Sequence, residues 1–286
     1  MRLKEALRRA REVLSSQNIN DAHLEAELLL RHLLGIERAQ LYADQEKELT
    51  PQQLQAYEAL VQRRLSGEPS AYIVGRREFY SLDFYVDRRV LIPRPESELS
   101  VDKALEFARE HPDISHPVIA DVGTGCGNLA ISLAVHLPQA KIYASDVSKA
   151  ALEVAALNCQ RHKMSQRIHL LRGYLLEPLP EKVDIIVANL PYISDEEMVW
   201  LGPEIRDFEP HLALAGGIQG LDLIVQLLAQ VPGKIRLGGA LFVELGQGQG
   251  IFATPLAQKH FPQSDVCLWP DLSGMDRVLG IYTKSA

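Results

Sequence analysis

A short β-branched run that breaks into three closely spaced glycines and then into a helix-compatible stretch constrains this chain more than any other feature. Pro117-Val118-Ile119-Ala120-Asp121-Val122 is apolar and strand-like, and Asn128-Leu129-Ala130-Ile131-Ser132-Leu133-Ala134-Val135 continues as a helix. Between them lies Gly123-Thr124-Gly125-Cys126-Gly127. The reading is strand, tight turn, helix, with glycines that permit positive φ and leave no side chain between the backbone and a ligand. From about residue 100 onward, strand and helix patterns alternate as in a doubly wound sheet. The last two strand-like runs, 264–269 and 277–282, have no helix between them and so predict an antiparallel final pair.

What the glycine turn could hold depends on its neighbours. Asn128 stands where a G-x-G-x-x-G fingerprint would place its third glycine, so a dinucleotide pyrophosphate is not the first choice. Asp121 argues the same way, because a carboxylate beside a ligand repels phosphate and attracts an amino group or a sulfonium. Asp146 ends the next apolar strand, Lys141-Ile142-Tyr143-Ala144-Ser145, where an acid can accept hydrogen bonds from both ribose hydroxyls. A glycine-rich strand-to-helix turn alone is often only structural. Together with two acids and the tetrapeptide described next, it points to S-adenosylmethionine.

That tetrapeptide, Asn189-Leu190-Pro191-Tyr192, follows a buried-strand pattern at 183–188. In a parallel sheet its place is on the same edge as the glycine turn, where such folds bind ligands. Asn189 offers a side-chain carbonyl, Leu190 a backbone carbonyl, Pro191 a stiff turn and Tyr192 a flat apolar face. Two carbonyls can hold both hydrogens of an NH2 group while the ring stacks on its plane. An amide nitrogen is a poor nucleophile because its lone pair is delocalised. Fixing both N–H bonds aims that lone pair at a methyl carbon, and positioning of this kind is worth up to roughly 7–11 kcal/mol. No strong base is needed, since the nitrogen turns acidic only as it loses conjugation and gains the methyl group.

Further stretches narrow the reading. Gly75-Arg76-Arg77-Glu78-Phe79-Tyr80 precedes Val90-Leu91-Ile92-Pro93-Arg94-Pro95-Glu96-Ser97-Glu98. Later come Arg206-Asp207-Phe208-Glu209-Pro210, Ala213-Leu214-Ala215-Gly216-Gly217, Gly220-Leu221-Asp222, Glu244-Leu245-Gly246 with Gln249, and Asp271-Leu272-Ser273-Gly274-Met275-Asp276-Arg277. Over nearly its full length the chain resembles the HemK/PrmC family, the glutamine N5-methyltransferases that modify peptide chain release factors.

The resemblance implies an α/β fold of the class I (Rossmann-like) methyltransferase type, with a seven-stranded sheet, an N-terminal helical domain and a β-hairpin linker. It divides the chain into a helical substrate-recognition domain over 1–75, a hairpin linker over 76–98 and an S-adenosylmethionine-dependent methyltransferase domain over 99–286. The implied acceptor is the side-chain amide nitrogen of the glutamine in the Gly-Gly-Gln motif of class I release factors, a modification that supports translation termination. Implied cofactor positions are Asp121, Gly123, Thr124, Gly125, Cys126, Gly127, Asp146, Tyr174, Leu175 and Asn189. Asn189, Leu190, Pro191 and Tyr192 are the implied catalytic grip on the glutamine. Neither a metal nor direct nucleic-acid binding is required. Two positions depart from the family pattern. Leu190 replaces the first proline of Asn-Pro-Pro-Tyr, although its carbonyl survives. Tyr174 stands where the family has the acid that would meet the adenine amino group, leaving adenine to backbone groups and stacking.

Composition agrees with this picture. A chain of 286 residues with 47% apolar content can bury a large core, and a net charge of −7 gives no generic nucleic-acid footprint. Cys126, Cys159 and Cys267 lack metal spacing, and Cys126 is read as packing within the turn. The charged start and the absence of an apolar span predict a cytoplasmic protein with no membrane association. Ahead of residue 75, Leu3, Ala6, Leu7, Ala10, Val13 and Leu14 recur at helical spacing, as do Ala22, Ala26, Leu29, Leu30, Leu33 and Leu34. Thr50-Pro51-Gln52-Gln53 reads as a capping box that opens a third helix. Residues 76–95 alternate as a hairpin with a turn near Ser81. Of the nine histidines, His23, His32 and His136 lie within helical patterns and the others lack a paired acid at recognisable spacing, and Glu209 and Glu244 are read as bracing the site. Two other readings compete. Asn-Leu-Pro-Tyr also resembles the clamp of ribosomal RNA adenine dimethylases, and the two departures fit a binding protein that has lost catalysis.

Overall fold

The computed structural model describes residues 1–284. The chain divides into two compact units: Met1–Arg76 with Pro203–Phe208, and Arg77–Gly202 with Glu209–Ala286, the latter described to residue 284.

The first unit is helical, with helices Leu3–Ser16, Ala22–Leu34, Arg38–Ala43, Pro51–Leu65 and Ser70–Val74. Leu3, Ala6, Ala10 and Leu14 form one buried stripe, which meets Ala26, Leu29 and Leu30 of the second helix and Tyr57 and Val61 of the fourth. Val13 falls off the stripe and is exposed. Thr50 and Gln53 cap the fourth helix reciprocally, at 3.1 and 2.9 Å. Tyr57 donates its hydroxyl to the Ala26 carbonyl at 2.9 Å, which satisfies a group that burial would otherwise penalise. Arg64, buried on the same helix, pairs with Glu25 at 3.1 Å and with Glu204 at 2.6 Å, so it ties the 203–208 segment to these helices.

The second unit opens with a hairpin, β1 (Arg77–Phe79) and β2 (Leu82–Phe84). Tyr80 and Ser81 both have positive φ, 51° and 59°, the twist that a two-residue hairpin turn demands. Phe79 and Phe84 are buried in a cluster with Val101 and Leu105 of helix Glu98–Glu110. This burial draws the hairpin into the second unit, where the sequence suggested a separate linker over 76–98. The strands end at Phe84, short of the expected 95.

Seven further strands form one sheet: β3 (Val118–Val122), β4 (Lys141–Asp146), β5 (Ile168–Arg172), β6 (Val183–Ala188), β7 (Ile235–Glu244), β8 (Asp265–Pro270) and β9 (Asp276–Tyr282). Their order is β5-β4-β3-β6-β7-β9-β8. The first five are parallel; β9 runs antiparallel to β8, as the missing helix between them predicted, and also to β7. Side chains alternate between two cores, with Val118, Ala120 and Val122 on one face and Ile119 on the other, and likewise Ile186 and Ala188 against Ile185 and Val187. One face is covered by helices Asp222–Lys234 and Gly250–His260, the other by Glu98–Glu110 and Asn128–His136. Burial on both faces explains why the central strands read as continuous apolar runs. Strand order reverses between β3 and β6, and the carboxyl ends of β3, β4, β6 and β7 share one edge.

Candidate active site

The glycine turn leaves β3 at that reversal. Gly123, Gly125 and Gly127 take φ of 74°, 54° and 87°, in the region where side chains are strained. At Gly123 a Cβ would also lie 3.1 Å from the Leu190 side chain, so the absence of one lets the turn and the tetrapeptide close on each other. The Gly123 and Thr124 amides donate to the Ser145 carbonyl, both at 2.9 Å, which fastens the turn to β4. Asp146, at the end of β4, accepts from the Gly125 amide at 2.9 Å and from the Ser148 amide at 2.8 Å. Burial raises its pKa despite these donors.

Gly123, Thr124, Gly125 and Cys126 line one cleft with Asp146. Tyr174 and Leu175 close another part of its wall, and Asn189, Leu190 and Pro191 line it from β6. Leu175 holds a positive φ of 48° and accepts from the Ser145 hydroxyl through its carbonyl at 2.9 Å. The Tyr174 hydroxyl donates to Gln226 at 2.7 Å. Cys126 is buried, and burial pushes its thiol up to about 12, so it packs and does not react.

Three of the residues singled out by sequence, Asp121, Gly127 and Tyr192, are not part of the cleft wall. Asp121 is only 1% exposed, and its Oδ2 accepts from the Thr124 hydroxyl at 2.6 Å and the Ala130 amide at 3.1 Å. It therefore binds the turn to the start of the next helix instead of facing a ligand directly. Its Oδ1 is buried without a hydrogen-bond partner among the described residues, and burial raises its pKa to about 7. Gly127 begins the helix, and a Cβ there would press on Ile131 and Ala155.

The tetrapeptide is held from three sides. Ala188 is in register with Val243, so Asn189 and Glu244, the next residues, leave neighbouring strands side by side. Asn189 donates from Nδ2 to the Ser97 hydroxyl at 2.9 Å, and its Oδ1 has no hydrogen-bond partner among the described residues. Ser97 in turn donates to Glu244 Oε2, while the Tyr192 hydroxyl donates to Glu244 Oε1 at 3.2 Å. Glu244 has no exposed surface, and burial lifts its pKa to about 7 against the opposing charge of Arg277. Gln249 donates from Nε2 to the Tyr192 carbonyl at 2.8 Å and accepts the Gly246 amide at 2.8 Å. Gly216 and Gly220 press their backbones against the loop, where a Cβ would come within 2.7 Å of the Pro191 carbonyl and 2.1 Å of the Tyr192 carbonyl.

Ser97 and Asn158 escaped the reading from sequence. Asn158 donates to the Cys126 carbonyl at 2.9 Å and to the Tyr85 carbonyl at 2.9 Å, and so fastens the glycine turn from behind. Its signal was available: an asparagine in the same helical stripe as Ala151, Val154, Ala155 and Cys159, all of them buried. Ser97 stands in the 90–98 stretch that carries the resemblance, but nothing in the sequence marks its partners.

The fold is shared with a solved methyltransferase from Pyrococcus furiosus, which is 16% identical and matches over 71% of this chain and 90% of its own, with a TM-score of 0.51. A sheet of this order with a glycine turn at its reversal is the class I, Rossmann-like methyltransferase fold. Family models narrow the class, the PrmC N-terminal domain matching residues 5–75 and the methyltransferase small domain residues 97–202. Among curated relatives, the release factor glutamine methyltransferase of Moorella thermoacetica is 40% identical over 99% of both chains. That of Chlorobaculum tepidum is 38% identical over 94% of this chain and 93% of its own. The chain belongs to the release factor glutamine methyltransferase family.

Proposed function

We propose that this protein transfers a methyl group from S-adenosylmethionine to the side-chain amide nitrogen of the glutamine in the Gly-Gly-Gln motif of a class I release factor, in the cytoplasm, with the helical unit contributing substrate recognition. The observation that supports the reading is the orientation of Asn189, a cleft-lining residue: its Nδ2 donates one hydrogen to Ser97, which turns that edge of the carboxamide toward Ser97 and leaves the carbonyl oxygen without a hydrogen-bond partner among the described residues. An acceptor so placed suits a donor-rich NH2 group and does not suit a carboxylate or a phosphate.

The residues around the cleft fit the cofactor. Gly123 and Gly125, both at positive φ, form a cradle that side chains would strain, and Asp146 offers the remaining lone pairs of its carboxylate to a diol. When bound, S-adenosylmethionine supplies an electrophilic methyl on a sulfonium leaving group. Every other task falls to the chain. Asn189 Oδ1 and the Leu190 carbonyl would accept the two amide hydrogens of the glutamine and fix the plane of its nitrogen. The Tyr192 ring, outside the cleft wall and tethered through its hydroxyl and its carbonyl, would brace the loop that carries these two acceptors. The proton leaves after the nitrogen has been alkylated, when it is acidic enough for water or the clamp carbonyls to take it.

Incubation with isotopically labelled S-adenosylmethionine and a purified class I release factor, followed by mass spectrometry of the Gly-Gly-Gln peptide, tests the proposal. Label on the glutamine side chain is the expected result. Tight cofactor binding with no label on the peptide would turn attention to an adenine in nucleic acid, and no cofactor binding would indicate a module without turnover. No helix among the described residues is long and apolar enough to cross a membrane.

A further inference from the structure

We infer that Ser97 is a positioning residue of the transfer reaction, a hydroxyl relay through which the buried carboxylate of Glu244 fixes the direction in which the Asn189 carboxamide points. The inference rests on the reading of Asn189 as the glutamine acceptor and adds the question of what orients it.

An asparagine carboxamide has two faces of nearly equal size and opposite chemistry, a carbonyl that accepts and an NH2 that donates. Rotation by half a turn about its last bond would present NH2 to the cleft and repel an incoming amide NH2. Something must break the tie, and Ser97 does. A serine hydroxyl has a single hydrogen. An ionised carboxylate can only accept, so the contact between Ser97 and Glu244 commits that hydrogen to Glu244 Oε2. The Ser97 oxygen is then left only with lone pairs toward Asn189, and only the NH2 edge of Asn189 can meet them, as it does at 2.9 Å. The carbonyl edge is thereby turned away from Ser97.

The same carboxylate serves the other half of the clamp, since its Oε1 accepts the Tyr192 hydroxyl. Both grips on the substrate nitrogen are thus referred to one group that has no exposed surface and sits at the end of the strand next to theirs. Ser97 is itself 1% exposed, so water has little access to replace the hydroxyl if it is removed. Ser97 belongs to the turn Pro95–Ser97 that opens helix Glu98–Glu110, and that helix is anchored in the core by Val101, Ala104 and Leu105. The relay is therefore mounted on a rigid element, which a positioning group requires.

Ser97→Ala and Ser97→Thr separate this role from simple packing. In Ser97→Ala the turnover number for release factor methylation is expected to fall about 100-fold, the cost of a misoriented reacting group. The dissociation constant for the cofactor should stay within about threefold of the unaltered protein, because Ser97 bonds to no residue of the glycine turn or Asp146. Ser97→Thr, which keeps the hydroxyl, is expected to recover most of the turnover. Side-chain amide NMR of Asn189 gives a readout that needs no substrate: one of its two NH2 hydrogens, the one bonded to Ser97, should be protected from exchange in the unaltered protein and in Ser97→Thr, and that protection should be lost in Ser97→Ala. Unchanged turnover and exchange in Ser97→Ala would overturn the assignment. So would a loss confined to cofactor affinity, or a Ser97→Thr protein as impaired as Ser97→Ala. If the unaltered protein protects the Asn189 amide yet does not methylate the glutamine, the relay stands and the substrate reading fails.

Discussion

Glu244 is asked to accept two hydrogen bonds at once, and only its ionised form can do so without giving up an acceptor site. The groups facing it are Ser97, Tyr192, the Arg277 guanidinium and, at the entrance to helix Glu98–Glu110, Glu96. With its pKa lifted to about 7, turnover is expected to rise with pH through neutrality and level off above it. A turnover profile flat from pH 6 to 8 would contradict this. Asn189→Ala is expected to abolish methyl transfer while leaving the melting temperature near that of the unaltered protein. Near-normal turnover would remove Asn189 from the clamp. Asp146→Ala should behave in the opposite way, weakening the cofactor roughly 10–100-fold, the worth of charge-assisted hydrogen bonds, as read by calorimetry. An unchanged dissociation constant would argue against its role.

At the scale of elements, the loop after β6 is shaped by glycines elsewhere in the chain. Gly220 and Gly248 have similar positive φ, 71° and 77°, but a Cβ at Gly220 would strike the Tyr192 carbonyl while one at Gly248 meets nothing within 4 Å. Alanine at either should cost on the order of 1 kcal/mol of backbone strain. Only Gly220→Ala should also depress turnover, by displacing the clamp. Equal turnover in the two variants would show that the loop yields. The contrast also marks what could be read in advance. The glycine turn, Asp146 and Asn189 were legible because each ends or follows an apolar strand, and parallel strands bring such ends to one edge. The antiparallel last pair was legible from a missing helix. The turn beneath Tyr192 was not, because Gly216 and Gly220 look like ordinary loop glycines until the backbone they touch is known. Ser97 was not, because its partner lies 92 residues away and a serine before a helix reads first as a cap. Asp121 was placed on the right edge but given the wrong neighbour, since sequence could not tell a carboxylate facing a ligand from one turned back to hold its own turn.

For the molecule as a whole, two buried carboxyls bear on stability. Asp121 and Glu244 are both raised to about 7 from ordinary values of 3.8 and 4.5. The folded state therefore binds protons more tightly than the unfolded chain between about pH 4 and 7. Their contribution to stability falls as pH rises through that window and is constant above it, by at most on the order of 3–4 kcal/mol each. Asp121→Asn combined with Glu244→Gln should flatten the dependence. The measurement is the urea midpoint at pH 5 and pH 8, whose difference should become more positive in the double variant. An unchanged difference would mean that neither group is perturbed.

The tie between Arg64 and Glu204 has a consequence for how the chain is made. The helical unit is encoded first, but its Pro203–Phe208 piece leaves the ribosome only after β6 has been synthesised. A nascent chain that has emerged only to residue 150 holds Arg64 with Glu25 alone, one buried cation short of a counter-charge. The two units are thus interleaved in time as well as in sequence: the first is completed by a segment that the second must be partly built to deliver, and a cut at residue 76 yields no fragment with all of its own parts.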